Sequence, residues 1–79
     1  MEESIIYSRL SKIFNEVFDE ESITLTPDLS AKDVAGWDSL AHIRLIATVE
    51  KELKVIFPGS QLSKVENVGN LVALIRSRA

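Results

Sequence analysis

Apolar side chains at intervals of three and four residues predict a first helix over residues 4–18. This spacing is the period of one buried helical face. The residues that have it are Ile6, Leu10, Ile13, Phe14 and Val17. We therefore expect one face of this helix to pack into a core, and the acidic residues that follow, Asp19–Ser22, to be solvated.

A long connection without a clear helical pattern runs from Asp19 to Asp38. Its alternating residues 23–27 have no second alternating run to pair with, so they predict an extended connector and not a strand. A connection of this length in a small domain usually has a function or contains hidden turns. Leu29 and Val34 are the apolar residues expected to fasten it to the core.

Three further helices are predicted after this connection. Asp38 suits an N-cap, because its carboxylate accepts from a free backbone N–H, and the second helix should cover residues 39–54. Pro58-Gly59 stops the chain before a short helix at residues 60–65. Asn67 can cap the last helix. The inward residues of the last helix are expected to be Val68, Leu71, Val72 and Ile75.

The predicted fold class is all-α. It is a bundle of three main helices plus one short helix, with a long loop between the first and second helices. The chain has 79 residues, 46% of them hydrophobic and 27% charged, which is the balance of a single folded domain. Residues 1–79 are therefore expected to form one domain, and a complete protein, with a monomer as the default state.

Charge and cysteine content exclude several classes of function. The net charge of −3 argues against a nucleic-acid binder, which needs a basic surface. No cysteine is present, and the single histidine cannot make a structural zinc site, so no metal is expected. The chain has neither a signal-peptide pattern nor a stretch of about 18 apolar residues that would span a membrane. We expect a cytoplasmic protein.

The most informative segment reads Gly-Trp-Asp-Ser-Leu, from Gly36 to Leu40. Gly36 allows a turn, Asp38 caps the second helix, and Ser39 is left at the helix start with an exposed hydroxyl. The free N–H groups and the helix dipole there favour an anion such as a phosphate ester. A second capping role for Ser39 explains the same residues, and physical chemistry alone favours it. Trp37 is expected to be a half-buried loop anchor.

This segment resembles the attachment motif of the acyl carrier protein family, the phosphopantetheine-dependent carriers. The similarity covers nearly the whole chain: a first helix, a long loop, an Asp-Ser-Leu helix, a short helix and a last helix that begins with residues 67–72, Asn-Val-Gly-Asn-Leu-Val. Asp-Ser-Leu alone would be a weak match. Length, helix order and the mid-chain position of Ser39 together make it specific.

The resemblance implies a role for each residue of the motif. Ser39 would be esterified to 4′-phosphopantetheine by a phosphopantetheinyl transferase that uses coenzyme A. Asp38 would help the transferase place its magnesium ion, and partner enzymes would contact Leu40. Ile43, one turn later, would join this partner-recognition surface. Packing in the core explains Leu40 and Ile43 equally well.

The implied function is that of a carrier and not of an enzyme. An acyl or aminoacyl group would be held as a thioester on the arm and shuttled from a loading enzyme to a downstream synthase or transferase. Carriers of fatty acid biosynthesis have a strongly acidic second helix, whereas residues 39–54 here have a net charge of +1. We therefore expect a specialised, free-standing carrier, for a polyketide or other secondary metabolite, a surface polysaccharide or an activated amino acid.

Two other interpretations compete with the carrier. A hydrolase would need His42 to activate Ser39, three residues earlier on the same helix, but no Gly-x-Ser-x-Gly turn is present. A non-modified helical protein-interaction module of carrier-like fold would use Ile56, Phe57 and Leu62 as an apolar patch. These three residues would equally well close the core. His42 is more simply explained as a solvent-facing helix residue.

Overall fold

Four α-helices form within residues 2–19, 23–62 and 64–78, the part of the chain that the computed structural model describes. Their bounds are Glu3–Phe18 (α1), Ser39–Leu53 (α2), Gly59–Leu62 (α3) and Val68–Arg78 (α4). Three main helices, one short helix and a long loop between α1 and α2 confirm the predicted all-α bundle. None of the described helices is long and apolar enough to cross a membrane.

The ends of α1 and α2 differ little from the predictions. α1 begins one residue earlier than expected and ends before Asp19, whose φ of 52° lies in the left-handed region. α2 ends at Leu53, and Lys54 follows as a left-handed cap with φ 55°. Both caps donate a backbone N–H to the last turn, as left-handed caps commonly do. The rest of the acidic stretch expected after α1, residues 20–22, lies outside the described residues.

The short helix α3 differs from its prediction at both ends. It covers Gly59–Leu62 instead of residues 60–65. The carbonyl of Pro58 accepts from the N–H of Gln61 at 2.9 Å, which starts the turn one residue early. Beyond Leu62, residue 63 lies outside the described residues, and the N–H of Val65 donates to the Leu62 carbonyl at 3.3 Å, a turn contact and not a helical one. A helix of one turn has little cooperative support, so neighbouring contacts set its ends.

The core lies where α1 packs against α2 and α4. The buried residues of these helices are Ile6, Leu10, Ile13 and Phe14 of α1, Ala41, Leu45, Ile46, Val49 and Leu53 of α2, and Val68, Leu71, Val72 and Ile75 of α4. All four inward residues predicted for α4 are therefore confirmed. Four of the five predicted for α1 are buried too, and Val17 packs partly buried against them.

Backbone hydrogen bonds join the long loop to the start of α4. The N–H of Val68 donates to the Leu29 carbonyl at 2.9 Å, and the N–H of Gly69 donates to the Pro27 carbonyl at 3.0 Å. These bonds use N–H groups that a helix start leaves free. A Cβ at Gly69 would stand 3.1 Å from the Pro27 oxygen, so the close approach favours glycine. Val34 is buried and Leu29 partly buried, which confirms both predicted anchors.

Candidate functional site

The start of α2 is built by a turn and a side-chain cap. Gly36 has φ 87°, a backbone conformation that favours glycine. Asp38 is extended and its Oδ1 accepts from the N–H of Ala41 at 2.8 Å, which confirms the predicted N-cap. The Asp38 carbonyl also accepts from the N–H of His42 at 2.8 Å. Both bonds fix the backbone on either side of Ser39.

Ser39 is the first residue of α2, and its side chain is exposed. Within the described part of the chain, no group accepts from the N–H of Ser39 or from that of Leu40. Free N–H groups at a helix start attract anions, and the helix dipole adds to this attraction. The surroundings of Ser39 therefore fit a phosphate ester on its Oγ.

Ser39 lies on a cleft of about 660 Å³. The cleft combines the apolar side chains of Ile43, Leu62 and Val65 with the polar groups of Ser39 and His42. The apolar lining comes from both α2 and the α3 region, so these two parts of the chain line one site together. A group attached at Ser39 would begin at this cleft.

Trp37 anchors the turn before α2 more deeply than predicted, because only 7% of its surface is exposed. Its ring packs edge-on against Phe14 of α1, with ring centroids 5.3 Å apart and an interplanar angle of 86°. Phe18 packs against it at 5.9 Å. Edge-to-face packing of this kind is favourable beyond the area it buries. The site is therefore held to the core of α1 by an aromatic cluster.

His42 is partly buried beside Trp37, so the prediction of a solvent-facing residue is correct only in part. The Trp37 Nε1–H donates to His42 Nδ1 at 3.1 Å, and the two rings are nearly parallel, at 17°, with centroids 6.1 Å apart. Burial lowers the pKa of His42 below its ordinary value of 6.5. The only sequence signal for this pair is a tryptophan just before the cap and a histidine one turn after it.

The hydrolase interpretation needs the hydroxyl of Ser39 bonded to the ring of His42. Among the described residues no such bond is found, and His42 Nδ1 already accepts from Trp37. A nucleophile and its base must lie within hydrogen-bond reach. The geometry therefore provides no activated serine.

The apolar residues that follow Ser39 face solvent. Leu40 is 70% exposed and Ile43 66% exposed, so packing in the core is the wrong explanation for them. The second predicted patch is divided, because Ile56 is 81% exposed while Phe57 is buried. Leu62 is partly buried against the core. Leu40, Ile43 and Ile56 are thus the exposed apolar groups of this part of the surface.

The exposed charges of α2 are mainly positive. Arg44 and Lys51 are exposed along the helix. Glu50 is partly buried, and its Oε2 accepts from the N–H of Phe57 at 2.9 Å, so this carboxylate stabilises the segment after α2. Glu52 is the exposed acid of the same turn. Positive charge therefore lies beside the exposed apolar groups.

Comparisons with known proteins identify the family. The profile of the phosphopantetheine attachment site matches residues 8–75. The acyl carrier protein of Helicobacter pylori is 27% identical over 70 residues, which is 89% of this chain and 90% of that protein. The solution structure of holo acyl carrier protein from Geobacter metallireducens is 42% identical with a TM-score of 0.85, over 91% of this chain and 83% of that one.

The chain belongs to the phosphopantetheine attachment family, the acyl carrier proteins. Its cofactor is a covalently attached 4′-phosphopantetheine. Proteins of this family are carriers and not enzymes, and they interact with phosphopantetheinyl transferases and with synthase enzymes. The fold and the family expected from the Gly-Trp-Asp-Ser-Leu segment are both confirmed.

Proposed function

We propose that Ser39 bears the 4′-phosphopantetheine arm and that residues 1–79 act as one carrier domain. The observation that carries this proposal is the exposed Ser39, directly after the capping Asp38 and on the cleft. When bound, the arm supplies a terminal thiol that holds an acyl or aminoacyl group as a thioester. A loading enzyme adds the group, and a downstream synthase or transferase receives it. The cytoplasm, which supplies coenzyme A, is the proposed compartment.

The residues around Ser39 hold and present the arm. The free N–H groups of Ser39 and Leu40 favour the phosphate, and Asp38 fixes the turn that exposes the serine. During modification Asp38 also helps the transferase to place its magnesium ion. Leu40 and Ile43, both exposed, are the proposed contacts of partner enzymes. Contacts of this small size suit a carrier that must leave each partner quickly.

The pathway that we propose is a specialised one. Arg44 and Lys51 lie exposed on α2, where a carrier of fatty acid synthesis would present acids to basic enzyme surfaces. Complementary charge governs which partners a small surface accepts, and like charges oppose association. The loading and receiving enzymes are therefore expected to differ from those of fatty acid synthesis. The carrier meets them as a monomer.

An intact-mass measurement tests the attachment. The purified protein is incubated with a promiscuous phosphopantetheinyl transferase, magnesium and coenzyme A. We expect one phosphopantetheine to be added to the wild type and to Ser60→Ala, whose serine is also exposed at the start of a helix. Ser39→Ala is expected to gain nothing, while its circular dichroism spectrum stays that of the wild type.

Two outcomes would contradict the proposal. Addition to Ser39→Ala would place the arm on another residue. No addition to the folded wild type, in a reaction that modifies a control carrier fully, would favour the non-modified interaction module. Leu40, Ile43 and Ile56 would then be its exposed binding residues.

A further inference from the structure

We infer that His42 donates a hydrogen bond from Nε2–H to the phosphate of the arm on Ser39, and that Trp37 holds His42 in the form that can donate. The inference deepens the proposed function and rests on it. His42 would then be a binding residue for the arm, and Trp37 a positioning residue that acts through His42.

Trp37 selects the tautomer of the His42 ring. An indole N–H can only donate, so the 3.1 Å contact with His42 Nδ1 requires that this nitrogen carry no proton. A neutral imidazole has one N–H, which must then be on Nε2. The two rings are nearly parallel, at 17°, which suits a hydrogen bond that lies in the plane of both rings.

The Nε2–H group is available to a ligand. No described residue accepts a hydrogen bond from it. Every fully buried side-chain nitrogen among the described residues has a hydrogen-bond partner. Because Nε2 of the partly exposed His42 has none, it must reach solvent. Because His42 also lines the cleft beside Ser39, the donor is presented near the attachment point.

The phosphate is the expected acceptor for the His42 Nε2–H, because its attachment to Ser39 at the start of α2 determines where it lies. Residues three apart on a helix have Cβ atoms about 5–6 Å apart, so a phosphate on Ser39 lies within reach of the His42 ring. The charged groups on the described lining of the cleft are the carboxylates of Asp38 and Glu66. Neither can donate to an anion when ionised. His42 therefore adds a donor to those of the Ser39 and Leu40 backbone.

The test uses nuclear magnetic resonance on the apo and the loaded protein. Attachment is first verified by mass. Nitrogen-15 spectra then follow the single histidine, and phosphorus-31 spectra follow the phosphate. On loading, the solvent exchange of the His42 Nε2–H is expected to slow by about tenfold, the size expected for a hydrogen bond to a charged group.

Two substitutions of His42 separate donation from packing. His42→Gln keeps a side-chain donor, and its phosphorus-31 resonance is expected near that of the wild type. His42→Phe keeps a ring without a donor, and its resonance is expected to move. Trp37→Phe removes the indole N–H, so the Nε2–H tautomer should lose intensity already in the apo protein. A purely structural role for Trp37, without the hydrogen bond to His42, would not produce this tautomer change.

The outcomes distinguish this inference from the proposed function. If the wild type gains the arm but the Nε2–H exchange rate stays the same, His42 does not bind the phosphate and the carrier function stands. Equal phosphorus-31 shifts in the wild type, His42→Gln and His42→Phe would overturn the inference in the same way. If no arm is gained, the proposed function fails and this inference fails with it.

Discussion

Trp37 makes contacts on two sides of the attachment site. Its ring packs against Phe14 of α1, and its N–H is bonded to His42 of α2. It also directly precedes Asp38, the residue that caps α2. One side chain therefore links the start of α2 to the core of α1. The sequence indicated a loop anchor here, but the bond to His42 depends on ring orientations that a residue pattern does not contain.

The partly buried His42 should make stability depend on pH. Its pKa is lowered in the folded protein, so on acidification the unfolded state takes up the proton first. Stability from this group is complete above the ordinary pKa of 6.5 and is lost as the pH falls below it. Urea unfolding at pH 8, 7, 6 and 5, followed by the fluorescence of Trp37, measures this loss.

His42→Gln is the control for this pH dependence. Because glutamine does not titrate, the free energy of unfolding of this variant should fall less between pH 7 and pH 5 than that of the wild type. The remaining acids and bases are common to both proteins, so their contributions cancel. A difference between the two proteins that is constant with pH would show that His42 does not titrate differently on folding.

At the scale of the elements, hydrophobic spacing predicted α1, α2 and α4 well. Each of these helices buries one continuous face, and such a face leaves a period in the sequence. The pattern did not predict whether Leu40 and Ile43 are buried or exposed, because apolar residues at the edge of a buried face have the same spacing as residues within it. The predicted α3 was too long, because a helix of a single turn is too short to show a repeating pattern of apolar residues.

The cap of α2 allows a direct test of how Asp38 stabilises the helix. Asp38→Ala removes the acceptor of the Ala41 N–H and should lower the free energy of unfolding by about 1 kcal/mol. Asp38→Asn keeps an oxygen acceptor and should lose much less. Urea unfolding at pH 7 measures both variants. Equal losses would mean that charge at the helix start, and not the hydrogen bond, provides the stabilisation.

At the scale of the whole molecule, the long loop is fixed by contacts between distant segments. The carbonyls of Pro27 and Leu29 accept from the first N–H groups of α4, and Ser30 forms a bridge with Asn67. Backbone bonds of this kind are open to almost any residue, so the sequence predicted the anchors Leu29 and Val34 but not the partner helix. The spacing of apolar residues in a sequence predicts which of them are buried, whereas it does not predict which backbone groups pair.

The distribution of charge over the molecule carries the proposal of a specialised pathway. Residues 1–30 have a net charge of −5 and residues 31–79 a net charge of +2, so the excess of acids precedes α2 in the chain. Arg44→Glu with Lys51→Glu would give α2 the acidic character of a fatty acid carrier. We expect the loaded double variant to be malonylated by a malonyl transferase of fatty acid synthesis roughly tenfold faster than the wild type at low salt.

A control with the same change in overall charge separates local from global effects. Lys64→Glu with Arg78→Glu reverses two exposed charges outside α2 and should leave the rate near that of the wild type. The advantage of the α2 variant should decrease as salt is added, because exposed charges are screened. Equal rates for the wild type and both variants would contradict a role for the charge of α2 in partner choice.

The central claim is that Ser39 carries the arm in the cell. The most direct measurement is the mass of the peptide that contains Ser39, from protein isolated from its own source without added transferase. We predict that this peptide carries phosphopantetheine and releases the pantetheine fragment on collision, with the phosphate traced to Ser39. An unmodified Ser39 in all of the isolated protein, or an arm found on another residue, would contradict the claim.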